Sequence, residues 1–193
     1  YHEHVSYWAL GPMIRLFDQH GFHVVHVERI PLHHGQLRVF VQRKGIGTAQ
    51  RSVADVLDAE HSRGVNRFET FERLAGSAQR VKNTLRSTIG DLLARGNRVA
   101  GYGAPAKAST LLSFLEIGPD MIEYIVDRSP LKQGRFTPGM HIPIVAPERL
   151  LEDQPDYVLL LAWNFAEEII AQQATYREAG GRFLIPLPET RMV

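Results

Sequence analysis

The chain has 193 residues, 44% of them hydrophobic, with 22 basic and 21 acidic side chains and a formal net charge of +1. Charges of both signs are spread along it, so there is no basic stripe of the kind that holds nucleic acid. Cysteine is absent, which excludes disulfides and thiolate metal sites within these residues, and no apolar run reaches the length of a membrane span.

No signal-peptide pattern is visible, so a cytoplasmic location is the default expectation. The chain opens at Tyr1 rather than methionine, as a piece of a longer protein would. Residues 1–45 read as a polar lead-in, a helix and a β-hairpin. Gly11 and Pro12 open the helix and Gly21 closes it, with Met13, Leu16, Phe17 and His20 spaced as one buried face. Phe22 to Ile30 and Gln36 to Gln42 are the hairpin strands, joined by a turn containing His33, His34 and Gly35. Residues 46–95 form a helical connector. Ser52 to about His61 is a short helix, and Val65 to Ala94 carries an apolar stripe from Phe68 and Phe71 through Leu85 to Leu92. That stripe suits packing on a neighbouring domain, and a coiled-coil seam that would make the protein an oligomer stays open.

From residue 96 to 193 near-continuous apolar strands alternate with helices. The strands are Arg98 to Tyr102, Met121 to Val126, Tyr157 to Ala162 and Phe183 to Pro186. The helices are Pro105 to Leu115, Pro147 to Leu151 and Ala166 to Ala179. This rhythm predicts an α/β fold with a Rossmann-like parallel sheet and right-handed crossovers. Ligands in such sheets bind at the carboxyl ends of the strands, where Gly101 to Lys107, Asp127 to Gly134 and Trp163-Asn164 fall.

The stretch Gly101-Tyr102-Gly103-Ala104-Pro105-Ala106-Lys107 is the centre of that site. Glycines between a strand and a helix let another group approach the main chain, and free amides at the helix start suit an anion. Lys107 lies within reach of such an anion, and Asp127, at the end of the next strand, stands where an acidic residue would meet a nucleotide ribose. Ala106 replaces the third glycine of the dinucleotide fingerprint, so a turn made for packing alone stays open.

Seven of nine histidines lie in the first 34 residues. His23 and His26, separated by an odd number on a strand, are expected on opposite faces; His2 and His4 could share one, with Glu3 pointing away, but no metal site is assigned. His4 is a candidate acid–base group, because imidazole titrates near neutrality. Glu3 could orient or charge-stabilise it, and Tyr1 could donate a hydrogen bond to an oxyanion.

Tyr1-His-Glu-His-Val-Ser-Tyr7, Pro31-Leu-His-His-Gly-Gln-Leu-Arg38, Gly101-Tyr-Gly-Ala-Pro-Ala-Lys107, Asp127-Arg-Ser-Pro-Leu-Lys132-Gln-Gly and Trp163-Asn164 together resemble the C-terminal part of the sugar C-methyltransferases. The resemblance runs over nearly the whole chain. It implies an S-adenosylmethionine-dependent enzyme that methylates a carbon beside the ketone of a nucleotide-linked deoxy-sugar. It also implies a parent with an N-terminal zinc-binding domain and a central methyltransferase domain that holds most of the S-adenosylmethionine site. Residues 1–45 would then be the end of that methyltransferase domain and 96–193 the C-terminal Rossmann-like domain. By resemblance His4 is the base, with Tyr1 and Glu3 as orienting or enolate-stabilising groups. His33, Gly101, Tyr102, Gly103, Ala104, Lys107, Asp127, Lys132 and Asn164 would hold the nucleotide-sugar, with no nucleic acid or membrane as partner. His34-Gly35-Gln36 stands where the family commonly shows Gly-Gly-Ser, and Ala108-Ser109 where it commonly shows Gly-Asn. The rival expectation is an NAD- or nucleotide-binding module of oxidoreductase or regulatory function, contacting its ligand through Gly101, Gly103 and Asp127.

Overall fold

The structure is a computed structural model that describes residues 5–31 and 35–193. The chain divides into two compact units between Ala75 and Gly76, inside one long helix.

In the first unit, helix α1 (Leu10–Gln19) leads into strands β1 (Phe22–Ile30) and β2 (Gln36–Arg43), an antiparallel pair, followed by α2 (Arg51–Ser62). Its core joins Leu10, Val24, Val27, Val53 and Val56, with Ile14 and Phe17 packed against them. The buried face of α1 is therefore Leu10, Ile14 and Phe17. Leu16 and His20, expected on that face, are exposed, because the row that packs into the core is Leu10, Ile14 and Phe17, offset around the helix from Met13, Leu16 and His20 and sharing only Phe17 with the expected face. The expectation for His23 and His26 also fails. A bulge between Val24 and His26 inserts one residue, pairing His23 with Gln42 and His26 with Phe40, so both histidines fall on one face of the hairpin. A bulge of this kind leaves no mark in hydrophobic alternation. His26 Nδ1 lies 2.7 Å from Ser52 Oγ, tying the strand to the start of α2.

Helix α3 (Phe68–Ala94) follows and crosses the boundary. Leu85, Ile89 and Leu92 are buried in the core of the second unit, whereas Phe68, Phe71 and Leu74 stay exposed. The predicted stripe is continuous in spacing, but only its C-terminal portion is buried.

The second unit contains β3 (Val99–Tyr102), α4 (Ala106–Leu115), β4 (Ile125–Val126), β5 (Ile144–Val145), α5 (Arg149–Asp153), β6 (Tyr157–Leu160), α6 (Ala166–Gln172), α7 (Ala174–Glu178), β7 (Arg182–Ile185) and β8 (Arg191–Met192). The strand order is β5-β4-β3-β6-β7-β8, parallel except for β8. Alternate strand residues supply two cores. Val99, Leu159 and Leu184 face the helices α3 and α4, while Ala100, Val158, Phe183 and Ile185 face α5, α6 and α7. Helices therefore cover both faces, the Rossmann-like arrangement that the sequence predicts. The strand expected from Met121 is shorter, because Met121 and Ile122 both donate to Gly118 O in a tight turn. The helix expected over Ala166 to Ala179 is broken at Gln173, whose φ of −102° and ψ of 34° leave the helical region.

Candidate functional site

Strand β3 is the centre of the sheet, with β4 on one side and β6 on the other. The chain reverses its direction of travel across the sheet between β3 and β6, the switch point at which open α/β sheets leave a crevice. The two loops that leave the sheet there carry Gly103 to Lys107 and Trp163-Asn164.

Both turn glycines have a packing reason. A Cβ on Gly101 would come within 2.7 Å of Ile125 Cγ1 and 3.3 Å of Leu161 Cδ1, so neighbouring strands fill its side-chain space. Gly103 has a φ of 85°, and a Cβ there would lie 2.9 Å from the Cβ of Ala162. The turn is narrow because the loops after β3 and β6 touch.

Asp127 follows β4 and is 8% exposed. Its Oδ2 accepts from Ala104 N at 2.7 Å and from Lys132 Nζ at 3.1 Å, and its Oδ1 accepts from Ser129 N at 2.8 Å. Gln133 Nε2 donates to the Asp127 carbonyl oxygen at 2.9 Å. Burial pushes this carboxyl up, but the two amides and Lys132 more than offset it and hold it below the ordinary carboxylate value. The carboxylate thus grips the turn after β3 and is already engaged by three donors.

Lys107, in the first turn of α4, reaches across the switch point. Its ammonium donates to Asn164 Oδ1 and lies 4.1 Å from the centroid of the Trp163 ring. No carboxylate pairs with it among the described residues, and burial pushes its pKa down. Tyr102 points the other way, into the core shared with α6 and α7. Gln173 Nε2 donates to its phenol oxygen at 3.5 Å, and burial raises its pKa. A polar cavity of about 470 Å³ opens beside it, lined by Tyr102, Arg128, Gln133, Glu148, Gln172 and Gln173.

The structure therefore brings together two groups of the expected residues. Gly103, Ala104, Asp127 and Lys132 form one network, and Lys107 with Asn164 forms another. Gly101 is packed within the sheet, and Tyr102 sits on the opposite face from α4. Trp163 was legible as a strand-end residue, but its role as the aromatic platform under Lys107 was not. Gln172 and Gln173 were hidden in a helix that reads as unbroken. Tyr1, Glu3, His4 and His33 lie outside the described residues. Among the described residues no group of three or more His, Asp or Glu side chains is placed to hold a metal ion, and no helix is long and apolar enough to cross a membrane.

Residues 31–188 match a family described as the C-methyltransferase C-terminal domain. The chain is also 41% identical, over 194 aligned residues, to the C-methyltransferase NovU of Streptomyces niveus. The match covers 100% of this chain and 46% of that protein, so the chain spans about half the length of the curated relative.

Proposed function

The chain belongs to the C-methyltransferase C-terminal domain family, and on that premise we propose that it is the C-terminal part of an S-adenosylmethionine-dependent enzyme that methylates carbon beside the ketone of a nucleotide-linked deoxy-sugar. The observation that carries this reading is the 41% identity to a C-methyltransferase over a match that covers the whole chain.

S-adenosylmethionine would supply an electrophilic methyl group. The Gly101-Tyr102-Gly103 turn offers it no cradle, because its glycines are packed and its nearest carboxylate is engaged. A thiolate zinc site has no ligands in this chain, which has no cysteine. What this chain contributes is preparation of the carbon nucleophile. A ketone makes the neighbouring C–H acidic. The imidazole of His4 takes that proton, leaving the electron pair delocalised onto the ketone oxygen as an enolate. Tyr1 donates a hydrogen bond to that oxygen, and Glu3 orients the imidazole and stabilises its protonated form. His33 holds the sugar. Lys107, lacking a carboxylate partner among the described residues, helps to hold the nucleotide-sugar.

The test separates proton abstraction from methyl transfer. The full-length enzyme, incubated with its keto-sugar in deuterium oxide without S-adenosylmethionine, is expected to exchange the proton beside the ketone. His4→Ala should lower both exchange and turnover by about 10²–10⁴-fold, the range typical of a general base, while the nucleotide-sugar still binds. Exchange at the wild-type rate in His4→Ala would remove the base assignment.

A further inference from the structure

A cavity with mixed aromatic and cationic walls lies in the first unit. Its volume of about 770 Å³ is in the range of pockets that hold a small organic ligand. Tyr7, Trp8 and Phe71 line it, and all three are more than half exposed. Exposed aromatic rings gathered at one cavity mouth have a use, because a planar base stacks on them with little regard for its identity.

The charge on the walls narrows the ligand. Arg29, at the end of β1, and Arg63, which caps the C-terminus of α2, both line the cavity. Neither has an ion pair or side-chain hydrogen bond among the described residues. The one acidic side chain in the wall among the described residues, Glu60, is committed elsewhere. Its Oε1 accepts from Leu10 N at 2.5 Å and its Oε2 from Gly11 N at 3.1 Å, so it satisfies the first amides of α1. The cavity is thus cationic as well as aromatic. Guanidinium groups pair with phosphate oxygens through two parallel donors, whereas they repel a sulfonium cation such as that of S-adenosylmethionine.

Chain connectivity supplies a third constraint. Tyr7 and Trp8 follow the His4 tetrad within four residues, and Gly35 and Gln36, which also line the cavity, come two and three residues after His33. The walls are therefore continuous in sequence with both segments assigned to the sugar.

We infer that this cavity takes the nucleoside diphosphate half of the substrate, the base on Trp8 and Tyr7 and the diphosphate on Arg29 and Arg63. The inference rests on the keto-sugar reading above and adds to it the place and the residues that recognise the nucleotide.

The chain has two tryptophans, so Trp163→Phe leaves Trp8 as the single fluorophore. In that background, thymidine 5′-diphosphate should change the fluorescence saturably, inorganic pyrophosphate should compete weakly, and S-adenosylmethionine should leave it unchanged. Arg29→Ala with Arg63→Ala should weaken thymidine diphosphate by about 100-fold, roughly tenfold for each lost charge-assisted contact. Circular dichroism should show the double variant folded, since both side chains are on the surface. A Trp8 signal from S-adenosylmethionine instead, equal nucleotide affinity in the double variant, or no nucleotide binding would each overturn the inference. In the full-length enzyme the two readings separate. Unchanged KM in the arginine variants with normal turnover would overturn the pocket and leave the reaction standing. Nucleotide bound at Trp8 with no isotope exchange beside the ketone would keep the pocket and overturn the reaction.

Discussion

The glycine turn after β3 and the aromatic cavity beside α1 make opposite use of their polar groups. In the second unit, the turn amide of Ala104, the Asp127 carboxylate and Lys132 satisfy one another, and Lys107 is held by Asn164 and Trp163. In the first unit, Arg29 and Arg63 line a cavity whose only carboxylate among the described residues is turned to a helix terminus. The motif that looks most like a binding fingerprint is closed upon itself, and the stretch with no fingerprint leaves charge and aromatic surface open. A motif states which backbone shapes are possible; the donor and acceptor count around it decides whether anything remains for a ligand.

The largest expected effect tests how firmly the second unit is built. Ile89→Ala removes a side chain with no exposure from its core and should lower unfolding stability by about 2–5 kcal/mol. Phe68→Ala, on the exposed part of the same helix, should change it by no more than about 0.5 kcal/mol. Chemical denaturation of the two variants checks the contrast, and equal losses would mean that the exposed stripe is covered in solution.

Asp127→Asn sharpens the closed side of the comparison. It removes a charge that accepts from two amides and an ammonium, and should cost about 2 kcal/mol near neutral pH. The folded carboxyl lies below its ordinary value of 3.8, so the stability it contributes is present above that value and is lost as pH falls through the lower folded value. Wild type and Asp127→Asn should therefore converge in stability only below about pH 4. A difference that persists unchanged in acid would show that the carboxylate charge is not what grips the turn.

The smallest effect concerns the open side. Glu60→Gln keeps an acceptor for the amides of Leu10 and Gly11 but loses the charge, and should cost about 1 kcal/mol. Because Glu60 is the one acid in the cavity wall among the described residues, the same change should tighten nucleoside diphosphate binding severalfold, measured by the Trp8 signal. Weaker binding would show that the carboxylate acts on the ligand and not on the helix.

The layered α/β fold was legible because its strands are apolar on both faces, as in Val158 to Leu161, and its helices are not. The bulge at Val25 was not, because one inserted residue changes which side chains share a face without changing composition. The role of Asp127 was half legible. Asp127-Arg128-Ser129 is a pattern in which a carboxylate accepts from the amide two residues on, and the Ser129 bond is that contact. Its second grip, on Ala104, joins residues 23 apart in sequence and depends on the pairing of β3 with β4. The arginines of the cavity carry no signal at all, since unpaired surface arginines are common and only the fold puts these two at one opening.

The most direct measurement is a calorimetric titration of the chain with a thymidine diphosphate-linked sugar and, in parallel, with NAD. Binding of the sugar nucleotide with no heat from NAD is the predicted result. Tight NAD binding that Asp127→Asn abolishes would contradict it, because the carboxylate would then serve a ribose and not the turn that it holds.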